Sequence, residues 1–215
     1  SRCRTTARRP SLTLSLSQPM KQYNVFPECN VDTNLVGFIV GGFAKHKSCC
    51  NEVVKAVNNS DSFAIGIIDA DKRQATMDSG FEEYVLSEMV DGEKQHVAMY
   101  VHEDGKRFMF TIKPAMDKFV WDAAQELGVN MRVAGYAATF EGFKKETKRI
   151  QAATDPKLRN LFGMISDYPE LQRFKNTLKY LVNKRYDSDV DVAKKFFDGS
   201  LTNEDLSAIL SGISF

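Results

Sequence analysis

The chain has 215 residues, 43% of them hydrophobic and 27% charged. That supply of apolar side chains fills one substantial core and excludes a wholly disordered protein. The 29 Lys and Arg against 28 Asp and Glu leave a net charge of +1, which excludes the bulk signature of a uniformly basic nucleic-acid binder. Charges interrupt every apolar run well before the ~18 residues that a membrane-spanning helix needs.

Residues 1–19 hold four arginines, no acid and many Ser and Thr, a composition that superficially suggests a transit peptide. The reading favoured here starts the native chain at Met20, so 1–19 is expected to be a disordered tail foreign to it. Cys3, Cys29, Cys49 and Cys50 have neither metal-finger spacing nor the look of a disulfide framework. With no export signal in view, reduced cysteines and a cytoplasmic location are expected, with no membrane partner.

In chain order, residues 23–26 form a short apolar run, after which Asp32 is expected to cap a helix through Leu35, Val36, Phe38 and Ile39 that ends at Gly41-Gly42. A second helix through Val53, Val54 and Val57 leads to the uninterrupted run 63–68, expected to be a central strand covered on both faces. Asp78 is expected to cap a third helix carrying Phe81, Val85, Leu86 and Met89. Residues 97–101 and 108–112 then form two strands joined by a turn at Glu103-Asp104-Gly105-Lys106. Met116, Phe119, Val120, Ala123 and Leu127 mark a helix that stops at Gly128. The expected fold class is therefore α/β over 20–128, a mostly parallel open sheet with helices on both faces.

From 129 to 215 strands disappear and a helical appendage is expected, with one helix through Leu171, Phe174, Leu178 and Leu181. Another carries Leu206, Ile209, Leu210 and Ile213 behind a Thr202/Asp205 cap. Charge follows a related division: residues 20–140 hold 12 basic and 17 acidic side chains, and residues 141–185 hold 11 and 5. The basic stretch is either a solvated helix surface or a phosphate-facing one beside an acidic pocket.

The strongest local feature is Ile67-Ile68-Asp69-Ala70-Asp71, where two carboxylates leave the C-terminal end of the best predicted strand. That is the sheet edge at which open α/β folds bind ligands. Paired carboxylates repel, and a hard divalent cation such as Mg²⁺ or Mn²⁺ is the usual compensation, although Asp is also common in turns. Glu28 follows the first predicted strand and leaves by the same edge if the two strands are parallel neighbours. Lys72 and Lys113 either touch phosphate or are solvated.

An acid after strand one, then a helix, then an apolar strand ending D-x-D resembles the Toprim domain. This is the metal-binding module of topoisomerases, primases and the overcoming-lysogenization-defect nucleases. The resemblance covers 20–128 and implies that Glu28 is the general acid/base and that Asp69 and Asp71 bind Mg²⁺ or Mn²⁺. It also implies nucleic-acid phosphodiester chemistry of a stand-alone nuclease. Asp32 falls where many stand-alone members carry a further acid, and Asp117, at the start of the helix after the fourth strand, is the candidate extra metal ligand; it is equally a dipole-favoured helix acid. The departure is Cys29, which stands where the family has Gly; a glycine there allows positive φ and close approach to phosphate.

Within the basic stretch, Lys144, Lys145, Lys148 and Arg149 are the candidate nucleic-acid contacts. No G-x-x-x-x-G-K-[ST] occurs, so any ATPase would be a separate subunit. Two other readings stand beside the nuclease. One is a noncatalytic Toprim-like binding or regulatory partner, as in a defence system. The other is a haloacid-dehalogenase-like phosphatase, which Lys72 and the unexplained Glu28 argue against. The spacing Asp187-x-Asp189-x-Asp191 lacks the glycine of a calcium loop, and His46, His96 and His102 are expected to be structural or surface residues.

Overall fold

The computed structural model describes residues 24–42, 44–70, 76–86 and 95–212. Five strands form one sheet in the order β1-β2-β5-β4-β3: β1 (Val25–Pro27), β2 (Ala64–Asp69), β3 (Phe81–Tyr84), β4 (Val97–His102) and β5 (Arg107–Ile112). The β1–β2 and β2–β5 ladders are parallel, and the β5–β4 and β4–β3 ladders are antiparallel. Only β4 therefore runs against the other four strands. The long apolar run became β2, an interior strand whose first five residues are all buried, as a strand covered on both faces requires.

Each face of the sheet has its own cover. The helix α2 (Cys50–Asn58) lays Val53, Val54 and Val57 against Phe26, Ala64, Ile68 and Met109. Gly66 permits this approach, because a Cβ there would collide with Met109 Sδ and lie 2.9 Å from Val53 Cγ1. The other face carries α1 (Asn30–Val40), α3 (Met116–Glu126) and the long α6 (Pro169–Lys184). Phe110 of β5 meets Phe174 of α6 at a ring-centroid distance of 5.3 Å, and Phe119 of α3 meets Tyr168 at 6.0 Å. One continuous apolar cluster thus joins this sheet face to the C-terminal helices α4 (Phe140–Thr147), α5 (Pro156–Met164), α7 (Val190–Asp198) and α8 (Asn203–Ser211). Each large aromatic so buried contributes about 1.5–3 kcal/mol.

Two expectations require correction. The helix expected from Asp78 is not what forms over 81–84: that stretch is β3, paired antiparallel with β4 from Phe81 opposite His102 to Tyr84 opposite Met99. Phe81-Glu82-Glu83-Tyr84 has its apolar residues three apart, a helical spacing without a strand's alternation, and pairing with the edge of β4 overrides that local pattern. The cap of α1 is Cys29 rather than Asp32. Cys29 Sγ accepts from the Asp32 N–H at 3.3 Å, and Asp32 Oδ2 accepts from the Cys29 N–H at 3.1 Å, a reciprocal capping box with the acid at its third helical position. Gly41 ends α1 with φ +66°, Gly128 follows α3 at the same φ, and Thr202 with Asp205 forms the expected capping box of α8.

Candidate active site

The parallel β1–β2 ladder carries Glu28 and Asp69 to the same end of the sheet. Pro27 pairs with Ile67, and the Glu28 N–H continues the ladder by donating to the Ile67 carbonyl at 3.0 Å. Glu28 Oε2 in turn accepts from the Asp69 N–H at 3.1 Å, so the Glu28 carboxylate meets the Asp69 backbone across the strand ends. Asp69 Oδ1 accepts from the Met116 N–H at 2.9 Å, which ties it to the first residue of α3. Two helix N-termini, of α1 and α3, therefore converge where the carboxylates gather, and their partial positive charge favours anions there.

Asp32 lies beneath this pair. Its side chain is 0% exposed, and Oδ1 has no hydrogen-bond partner among the described residues. Burial, and next the charge of Asp69, raise its carboxyl well above the usual carboxylate range against the opposing Cys29 N–H and thiol; Glu28 adds to the rise. The Cys29 thiol is also pushed well up, first by burial and then by Asp32 and Asp69. Cys29 has φ −109° and ψ 169°, extended backbone open to any residue, so this position places no demand for glycine on the main chain.

A cavity of about 300 Å³ opens above the acids, lined by Glu28, Asp69, Asp117, His46, Thr147 and Lys148 among others. Asp117, the second residue of α3, is 8% exposed. Burial raises its carboxyl, while the Lys118 N–H and then Lys144 and Lys148 oppose the rise. Of the expected basic cluster, Lys148 lines the cavity and Lys144, one turn earlier on α4, acts on Asp117 through its charge. Lys145 and Arg149 are exposed on the neighbouring helix surface, where the Arg149 carbonyl accepts from Asn30 Nδ2 at 3.4 Å. Asp71 lies outside the described residues. Among the described residues no three His, Cys, Asp or Glu side chains gather as a metal-binding group.

His46 was not expected here. It reaches the cavity because 45–47 run beside β1, with the Lys45 N–H donating to Val25 O at 2.8 Å and the Lys47 N–H to Pro27 O at 2.9 Å. Its Nδ1 lies 2.9 Å from Thr33 Oγ1 on α1. The sequence offered no signal beyond the scarcity of histidine. His96, by contrast, is a buried structural residue held between Glu170 and Asp122.

No protein-family model, curated protein or solved structure matches the chain.

Proposed function

We propose that the chain performs metal-dependent phosphodiester chemistry on nucleic acid, as a Toprim-type nuclease. The observation that carries this reading is the contact of Glu28 with Asp69 at adjacent parallel strand ends, inside a cavity that Asp117 and Lys148 also line. Paired acids facing a basic helix suit a substrate whose phosphate is drawn by Lys148 and Lys144 and whose reacting bond is set over the carboxylates.

The donor chemistry fits a hard cation. Glu28, Asp69 and Asp117 bring only oxygen to the cavity, and among the described residues no three acids gather closely enough to hold an ion by themselves. Asp71 is the further acid that the reading requires. A bound Mg²⁺ or Mn²⁺ would neutralise phosphate charge and lower the pKa of an attacking water. The protein's own part is to hold the geometry. The β1–β2 ladder fixes the separation of Glu28 and Asp69, the α3 N-terminus orients Asp69, and Glu28 takes the proton from the attacking water.

A cleavage assay on labelled single- and double-stranded DNA and RNA tests this, with Mg²⁺ or Mn²⁺ added. Asp69→Asn and Glu28→Gln are suitable variants because each keeps an oxygen for its backbone hydrogen bond. The wild type is expected to cut at least one substrate, and each variant to lose about two orders of magnitude or more. No cleavage by the wild type, or equal cleavage by the variants, defeats the nuclease reading. A noncatalytic nucleic-acid-binding role is the second reading, favoured by the structural duty of Asp69 as the anchor of α3. Metal binding and nucleic-acid retention without turnover would support it.

A further inference from the structure

A second cavity, of about 590 Å³, lies among the C-terminal helices, where the start of α6 faces the end of α7 and the beginning of α8. Arg173 and Asn176, three residues apart and so neighbours on one side of α6, both line it. Arg173 is 9% exposed, and among the described residues its Nη2 has no hydrogen-bond acceptor; Asn176 is also buried, and its Oδ1 has no donor there. A buried guanidinium nitrogen and a buried amide oxygen, both unmatched on one wall, are an unusual pair of deficits.

The acids around the cavity do not relieve Arg173. Asp198 is committed twice, accepting from Tyr84 Oη at 3.0 Å through Oδ2 and from the Ser200 N–H at 2.8 Å through Oδ1. Glu204 is held by the Thr202 hydroxyl and its own backbone N–H, and Asp167 acts on Lys175. What keeps the arginine in place is packing: its Cδ passes 3.1 Å from where a Cβ on Gly199 would stand. Gly199 ends α7 with φ +86°, so the arginine stem runs beside a helix C-terminus, whose partial negative charge helps to hold the guanidinium there. Lys175 lines the same cavity, half-buried, and supplies a second positive charge.

We propose that this cavity is a binding site for a phosphate-bearing small molecule, with Arg173 and Lys175 on the oxyanion and Asn176 Oδ1 accepting a hydrogen bond from it. The planar fork of arginine matches an oxyanion. Hydrogen phosphate, and a phosphate monoester in its monoanionic form, also bring an O–H for the Asn176 oxygen, which a carboxylate does not. This site is separate from the acidic cavity and does not depend on its function.

Inorganic phosphate is the probe, titrated into the full chain at constant ionic strength, with chloride as the matched salt and acetate as the carboxylate arm. Phosphate is expected to raise the unfolding temperature saturably and to move the Asn176 side-chain amide resonances in ¹⁵N spectra; acetate does less. Arg173→Met should weaken the response about tenfold or more, and Lys175→Gln severalfold, while Lys55→Gln, exposed on α2 and away from both cavities, leaves it intact. The wild-type spectra and the half-exposed Lys175 variant carry the test if Arg173→Met does not fold. The proposal is overturned if phosphate gives no saturable response, if acetate acts as strongly, if neither the Arg173 nor the Lys175 variant weakens the response, or if Lys55→Gln weakens it as much as they do.

Discussion

Glu170 holds the sheet to α6, and its removal gives the sharpest stability prediction. Its Oε1 accepts from the His96 N–H at 2.6 Å and the Val97 N–H at 2.7 Å, and its Oε2 lies 2.9 Å from His96 Nδ1. His96 Nε2 lies 3.1 Å from Asp122 Oδ2 on α3, so a protonated ring donates to both acids and ties β4 to two helices. His96 and Glu170 are each about 3% exposed, so little water is available to replace what is lost. Glu170→Ala leaves buried donors unmatched and should cost about 3–5 kcal/mol, the usual penalty for breaking a buried pair. For a domain of this size that is about 6–20 °C in Tm.

Glu170→Gln keeps an oxygen for the two backbone donors but loses the imidazolium contact, worth about 1.5–3 kcal/mol. This deficit should depend on pH. Burial lowers the His96 pKa, but Glu170 and Asp122 together outweigh it and raise the pKa above its ordinary value. A raised folded-state pKa means the contribution is full below the unfolded value of about 6.5 and is lost as pH rises through the folded one. Urea unfolding followed by circular dichroism should therefore show a larger Glu170→Gln deficit at pH 6 than at pH 9. A Glu170→Ala cost under about 1 kcal/mol, or a Glu170→Gln deficit equal at both pH values, refutes the reasoning.

Three further predictions concern the sheet and the acidic cavity. Asp32→Asn keeps an oxygen for the Cys29 N–H and removes a charge that burial and Asp69 disfavour. The raised Asp32 pKa means the wild type loses stability as pH climbs from the unfolded value of about 3.9 towards the raised folded one, so the variant should gain on the wild type from pH 4 to pH 8 in chemical denaturation; a flat or opposite trend contradicts the assignment. Gly66→Ala should cost about 1–3 kcal/mol by forcing α2 and Met109 off β2, measurable as a lower urea midpoint, and an unchanged midpoint would show that the contact relaxes freely. Neutralising Lys144 and Lys148 together should weaken nucleic-acid binding across sequences and flatten its salt dependence by about two phosphate contacts, whereas neutralising Lys145 should do less; equal effects would detach binding from the cavity.

The parts of the fold legible in the sequence are those governed by local patterns. The run into Asp69 announces an interior strand because every side chain is apolar, and Gly41 and Gly128 mark helix ends because each needs a left-handed backbone. Glu28 and Asp69 could be paired as soon as their strands were taken as parallel neighbours. What escaped was set by distant partners. Phe81–Tyr84 spaces its apolar residues as a helix would and becomes a strand only because β4 offers an edge, and His46 reaches the cavity through backbone bonds to β1. Glu170 binds a histidine 74 residues away, and Arg173, which looks like one more solvated helix charge, is buried by Gly199 and its neighbours. Cys29 reads as a departure at a glycine position, yet its extended backbone and its thiol both serve the cap of α1.

Calorimetric titration of Mg²⁺ and Mn²⁺ into the wild type, Asp69→Asn and the Asp69→Asn/Asp71→Asn double variant decides whether the acidic cavity binds a divalent cation. Saturable binding to the wild type is expected, falling at least tenfold in the single variant and vanishing in the double. Folding is kept in both, because the amide that replaces the Asp69 carboxylate still offers an oxygen to the Met116 N–H. Equal binding in all three proteins, or none in the wild type, would contradict a metal site at these acids.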